Sequence, residues 1–169
     1  NLFLGLALLL TAAAVGPLSS PRVWAAASGP ALPLEETRGW VVLTDGRAKP
    51  IQTFADETVL ALTGRKSLSG MSSLQIFWGY ALSPGHFRDL DLIRVDSLDL
   101  KQQLGLDSEQ RRFGFSTLMA NGEFRALVDQ AMRRNRADEE LTRLEKDALG
   151  VYAKLTRAAD LMAGDALAM

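Results

Sequence analysis

The chain carries one histidine, His86, and no cysteine. Those two facts bound the chemistry that its side chains can do. A zinc centre of the Cys/His kind is excluded, because it needs several thiolate and imidazole ligands. Thioredoxin-like exchange needs Cys-x-x-Cys, and covalent haem attachment needs Cys-x-x-Cys-His. A Ser-His-Asp triad would have to use His86. Yet Ser83-Pro84-Gly85-His86 reads as a turn, without the Gly-x-Ser-x-Gly elbow that exposes a nucleophile. His86 is therefore expected to be a loop histidine, with axial ligation of haem as its one chemical alternative. Carboxylates are plentiful but form no specific constellation. Asp89 and Asp91 would share one face of any strand, and Glu139 and Glu140 read as a solvated helix start. Neither phosphate-cradling glycine loop is present. The expectation is no catalytic residue and no metal site.

The densest polar motif runs from Asp45 to Glu57, Asp-Gly-Arg-Ala-Lys-Pro-Ile-Gln-Thr-Phe-Ala-Asp-Glu. Elements that would position it are legible on either side. Trp40-Val41-Val42-Leu43 reads as a short strand. Asp45-Gly46 is a favoured turn dipeptide, since glycine accepts positive φ. Lys49-Pro50-Ile51 returns as a second strand, with Pro50 confining it to an edge. Thr53 is expected to cap a helix from Phe54 to Thr63, with Asp56 completing a capping box and Gly64 closing the helix. Arg47, Lys49 and Glu57 are left over. They could pair with one another, or contact a partner. Gly64-Arg65-Lys66 reads as a closed helix end followed by two cations that suit the helix dipole.

Helical and strand patterns continue to the C-terminus. Ser72 or Ser73 starts a helix whose apolar face is Leu74, Phe77, Trp78, Ala81 and Leu82, and Pro84 stops it. Trp78 and Tyr80 read as packing residues. Leu92–Val95 and Arg112–Phe115 read as short strands. Ser97 caps a short helix ending at Gly105, Asp107 with Gln110 suggests one further turn, and Ser116 suggests another cap. Phe124, Leu127, Val128 and Ala131 mark the next helix. From Asp138 to Ala163 a heptad seam carries Leu141, Leu144, Ala148, Val151, Leu155, Ala158 and Met162, with Asp138, Glu139 and Glu140 at its positive end. The seam could pack on its own domain or on a partner helix. The fold class expected is α+β, mainly α: a helical domain with a small β-hairpin and short-strand sheet, and a long C-terminal helix.

Composition places this domain. At 169 residues, 47% hydrophobic, 23% charged and with a net charge of -1, it suits one globular domain and no nucleic-acid footprint. No charged residue precedes Arg22, and Leu2 to Val15 is a nearly unbroken apolar run. That run is short for a membrane span and ends at Gly16-Pro17, with Ala25-Ala26-Ala27 beyond it. Residues 1–27 are expected to be a signal peptide or an N-terminal anchor, 28–39 a linker, and 40–169 a single soluble extracytoplasmic domain. Without an initiator Met or a positive leader start, the chain is expected to be a fragment of a longer membrane protein.

The Asp45–Glu57 motif, with Leu60, Thr63-Gly64-Arg65-Lys66 and Gly70, resembles the extracytoplasmic region that precedes the membrane core in cytochrome c biogenesis proteins of the CcsA/ResC type, the system II haem lyases. Leu92-Ile93-Arg94-Val95, Leu104-Gly105-Leu106 and Arg112-Phe113-Gly114-Phe115 look similar to the same family. The likeness covers about residues 40 to 155. Gln52 stands where the family pattern has Asp, and the Trp-rich haem-handling motif, its flanking histidines and the transmembrane helices are absent. The resemblance implies a non-catalytic periplasmic domain, tethered to the membrane, that positions the haem-attachment machinery or its apocytochrome client. It implies haem in the full-length family but none in this fragment, and other cytochrome c assembly subunits and apocytochrome c as partners. It also marks Asp45, Gly46, Arg47, Lys49, Pro50, Thr53, Glu57 and Gly64 as binding residues. The competing expectation is a secreted scaffold module that self-associates through its C-terminal helix.

Overall fold

Pro33 begins the part of the chain that the computed structural model describes, residues 33–44 and 46–165. The expected routing segment, the first part of the linker and Asp45 lie outside the described residues. The end of the expected linker is instead a 3-10 helix, Leu34–Gly39. It is tied down by Thr37, which is buried. The Thr37 hydroxyl donates to the Leu34 carbonyl at 2.6 Å and accepts the Trp78 indole N–H at 3.0 Å.

The hairpin forms as its turn signal predicts. Strands β1 (Val41–Thr44) and β2 (Arg47–Pro50) pair antiparallel, Val41 opposite Pro50 and Thr44 opposite Arg47. Gly46 sits at φ 71°, in the left-handed region open to glycine. The chain then enters helix α1, Ile51–Thr63. Thr53 does not cap it. The helix starts three residues earlier than expected because Pro50 fixes its own φ and the Ile51 N–H is taken by the Trp40 carbonyl at 2.7 Å. With that donor satisfied by the hairpin, Thr53 becomes an exposed first-turn residue. Gly64 closes the helix at φ 75°, as expected.

Helix α2, Ser73–Leu82, is capped by Ser72 in a reciprocal box with Gln75. Its buried surface is wider than the predicted stripe. Ser73, Leu74, Ile76, Phe77, Gly79 and Tyr80 are all buried, whereas Leu82 is exposed. The breadth follows from position: α2 packs against α1, the 3-10 helix, the short helix α3 (Pro84–Phe87) and the C-terminal helix. Gly79 admits the buried Phe87 ring to a place that a Cβ would fill.

Two-residue strands β3 (Ile93–Arg94) and β4 (Arg112–Phe113) pair antiparallel, within the predicted strands. Helix α4 (Leu98–Gln103) carries its Ser97 cap, but the turn expected at Asp107 is not helical. Buried Lys101 holds that loop instead, donating to the carbonyls of Ser108 at 2.6 Å and Gln110 at 3.1 Å. Ser116 lies inside helix α5 (Phe115–Ala120), whose N-cap is Gly114, and its hydroxyl accepts from Arg88 Nε at 2.9 Å. Helix α6 (Gly122–Arg136) begins at Asn121, whose carboxamide oxygen accepts the Phe124 N–H at 2.9 Å.

The last helix, α7 (Arg143–Ala163), starts later than the acidic run suggests. Asp138 adopts φ 54° in the turn after α6, and Glu139 pairs with Arg134. The cap is Thr142, boxed with Glu145. Ala148, Val151, Leu155 and Ala158 of the heptad seam are buried, and Leu161 rather than Met162 completes it. The seam packs on α6, α2 and α1 of its own domain. The fold is α+β, mainly α, with two small two-stranded sheets among the described residues. No helix among the described residues is long and apolar enough to cross a membrane.

Candidate functional site

The motif residues gather where the hairpin meets α1. Pro50 aims the chain from β2 into the helix, which sets Lys49 beside the second turn of α1. The Lys49 ammonium donates to Glu57 Oε2 at 2.7 Å and locks strand to helix. Of the three polar residues left over in the sequence, these two pair and Arg47 stands exposed outside the pair. The pair lines one wall of a polar cleft of about 440 Å³. Thr44 and Phe54 flank it, and Arg157, Asp160 and Leu161 of α7 form the opposite wall. The motif and the C-terminal helix thus meet at one surface.

Behind that wall lies a polar knot that the sequence reading missed. The sequence suggests that Asp56 completes a capping box with Thr53, which does not form. The Asp56 carboxylate accepts instead from the Gln52 amide at 2.7 Å, from Lys66 at 3.2 Å and from the Ser73 hydroxyl. Burial pushes its pKa up, but the hydrogen bonds from Ser73, Gln52 and Lys66 outweigh it and hold the carboxyl below its ordinary range. Gln52 also donates to Ser73 Oγ at 3.0 Å. An amide can donate to Asp56, whereas an aspartate there would repel it. Residues i and i+4 on one helix gave a local signal for the Gln52–Asp56 contact; Ser73, from α2, gave none.

Gly64 takes part at the other end of α1. The Arg94 side chain lies over it so closely that a Cβ would collide with the guanidinium. His86 is not brought to any of these places. It is exposed on α3 with its ring edge-on to Phe87, and it lines neither the polar cleft nor the apolar groove at Trp40, Trp78 and Leu82. No group of three candidate metal-ligating side chains occurs among the described residues.

Comparison with known proteins adds one likeness. The chain is 32% identical over 66 residues to Protein NrfI of Wolinella succinogenes, a stretch covering 39% of this chain and 7% of that protein. The chain thus matches only a small part of the relative's length. No protein-family model matches it.

Proposed function

We propose that this chain is an extracytoplasmic domain of a cytochrome c assembly protein, positioning the haem-attachment machinery or its apocytochrome client without chemistry of its own. The observation that carries this reading is the construction of the Asp45–Glu57 corner. Its described residues serve one architectural unit, in which the Lys49–Glu57 pair joins hairpin to helix beside a polar cleft. A charged pair at the rim of a cleft suits a docking surface. The likeness to Protein NrfI, together with the motif resemblance, supports a role in cytochrome c maturation. The periplasmic placement, a membrane tether through residues 1–27, and apocytochrome and assembly-subunit partners belong to the same proposal. Haem would be handled by other parts of such a protein.

The competing scaffold reading needs the C-terminal seam for self-association. Ala148, Val151, Leu155 and Ala158 are already buried within one copy. The test is replacement of the chromosomal gene by Lys49→Glu or by a deletion, with haem staining of the c-type cytochromes. Loss of holocytochrome in the deletion strain, and reduction by Lys49→Glu at normal protein level, is expected. Normal holocytochrome in the deletion strain would overturn the reading.

A further inference from the structure

A second charged surface, distinct from the Lys49–Glu57 corner, lies past the C-terminus of α1. In the β3–β4 pair, Arg94 stands directly opposite Arg112. Like charges facing across strands repel, so the pairing itself does not explain them. Arg111 precedes Arg112, and Arg65 follows Gly64. All three of Arg65, Arg94 and Arg111 act on Arg112: burial first, then their charges, push its guanidinium pKa down, and Asp96 alone opposes them. The chain as a whole is slightly acidic, so this crowding is local.

Two of the four arginines, Arg112 and Arg94, are held in place. Arg112 Nε donates to the Thr63 carbonyl at 2.8 Å, which anchors that guanidinium at the negative end of α1. Gly64 leaves room for Arg94 to lie across the helix end. Lys154 of α7 donates to the Arg94 carbonyl at 2.7 Å. Asp96 accepts from Arg94 Nε at 2.6 Å, so a carboxylate already fits one fork of the array. Arg65, Arg111 and Arg112 have no carboxylate partner among the described residues, and Arg65 and Arg111 are exposed.

We propose that Arg65, Arg111 and Arg112, framed by Arg94, form a docking surface for an acidic segment of a partner protein. A planar guanidinium matches a carboxylate through paired N–H donors, which a lysine cannot do. Guanidiniums held as those of Arg94 and Arg112 are favour carboxylates in matching positions, whereas a lipid surface asks only for positive charge. The Arg94–Asp96 contact, a single bond from Nε to Oδ1, shows one of these guanidiniums already holding a carboxylate. The inference stands on this cluster and does not depend on the cytochrome reading.

Fluorescence anisotropy of a labelled oligo-aspartate peptide, titrated with the full chain at low salt, tests it. The variants are the pair Arg65→Glu with Arg111→Glu, and a control pair on α6, Arg133→Glu with Arg136→Glu, which makes the same change in net charge. Binding should weaken about tenfold or more in the first pair and stay near wild type in the control. Vesicles of phosphatidylcholine with phosphatidylglycerol form the second arm, read as the difference between wild type and variants. No peptide binding by the wild type, equal loss in both pairs, or an arginine-dependent difference on vesicles alone would each overturn the proposal. Thermal melting followed by circular dichroism accompanies each variant. If the glutamate pair does not fold, Arg65→Gln with Arg111→Gln takes its place under the same criteria.

Discussion

Arginine serves two opposite purposes in this domain, at the α6–α7 turn and at the end of α1. At the turn, Arg134 is fully engaged. Its guanidinium donates to Glu145 at 2.9 and 3.1 Å, to Glu139 at 2.9 Å and to the Glu140 carbonyl at 2.7 Å. Glu145, 2% exposed, also accepts the Thr142 N–H, the Thr142 hydroxyl and the Gln130 amide. At the end of α1, Asp96 pairs with Arg94 and acts on Arg112, while Arg65 and Arg111 have no carboxylate partner among the described residues. The first arrangement fixes a helix connection. The second leaves guanidiniums without carboxylates on a surface. Charge satisfaction, more than charge content, separates the structural corner from the one available to a partner.

The sharpest way to break this comparison is to remove the centre of the first corner. Glu145→Ala deletes both the capping box and the acceptor for Arg134, and removes a buried side chain from the turn. A fall in Tm of about 5–10 °C is expected for a loss of this kind in a domain of this size. Binding of the acidic peptide should not change. A variant that melts like wild type would show that the turn is held by packing alone.

At the second corner the corresponding test is Gly64→Ala. The new Cβ would occupy the space of the Arg94 guanidinium, and the left-handed φ of 75° is unfavourable for alanine. A cost of about 1–2 kcal/mol in urea denaturation is expected from that backbone conformation. Arg94 is a flexible side chain and can swing away, so the larger consequence is a disturbed arginine array and weaker peptide binding. Unchanged peptide binding would separate Gly64 from the array.

Acid titration distinguishes the corners in another way. Backbone hydrogen bonding from Thr142 is the main cause that lowers the Glu145 pKa, opposed by burial and reinforced by Arg134; Asp56 is also lowered. A depressed carboxyl pKa contributes stability above the unfolded-state value. That contribution is lost as pH falls through the folded value, which lies below the ordinary carboxyl range. Stability should therefore drop on acidification, and Asp56→Asn should flatten part of that drop. A pH profile identical to wild type would remove Asp56 from this account.

These same features explain what the sequence made legible. Local signals carried far: the hairpin came from its turn residues, the close of α1 from Gly64, the caps of α2 and α4 from Ser72 and Ser97. Long-range partners did not. Thr53 looked like a cap because nothing local announces that Trp40 will satisfy Ile51. Nothing local marks Glu145 as buried, because its fate depends on Arg134, eleven residues earlier and across a turn. The width of the α2 core could not be read from one apolar stripe, since it reflects packing on several sides. At the candidate site, Lys49 and Glu57 were named in advance, but the Asp56 knot and the cleft against α7 needed the tertiary arrangement.

The smallest expected effect on stability is also the one most tied to function. The Lys49–Glu57 bridge has side chains 29% and 54% exposed, so solvent screens it and ordering two flexible side chains offsets much of its attraction. Reversing it in the double variant Lys49→Glu with Glu57→Lys should change unfolding free energy by less than about 1 kcal/mol. The opposite charges would still face each other across the same gap. Each single variant, by contrast, places like charges together and should be the less stable. If the corner only braces the hairpin, the swap should restore whatever the single variants lose, holocytochrome included. If a partner reads the charges in place, the swap should restore stability yet leave holocytochrome low. That split between a recovered fold and an unrecovered phenotype is what a docking role requires. Full recovery of both would reduce the corner to a brace.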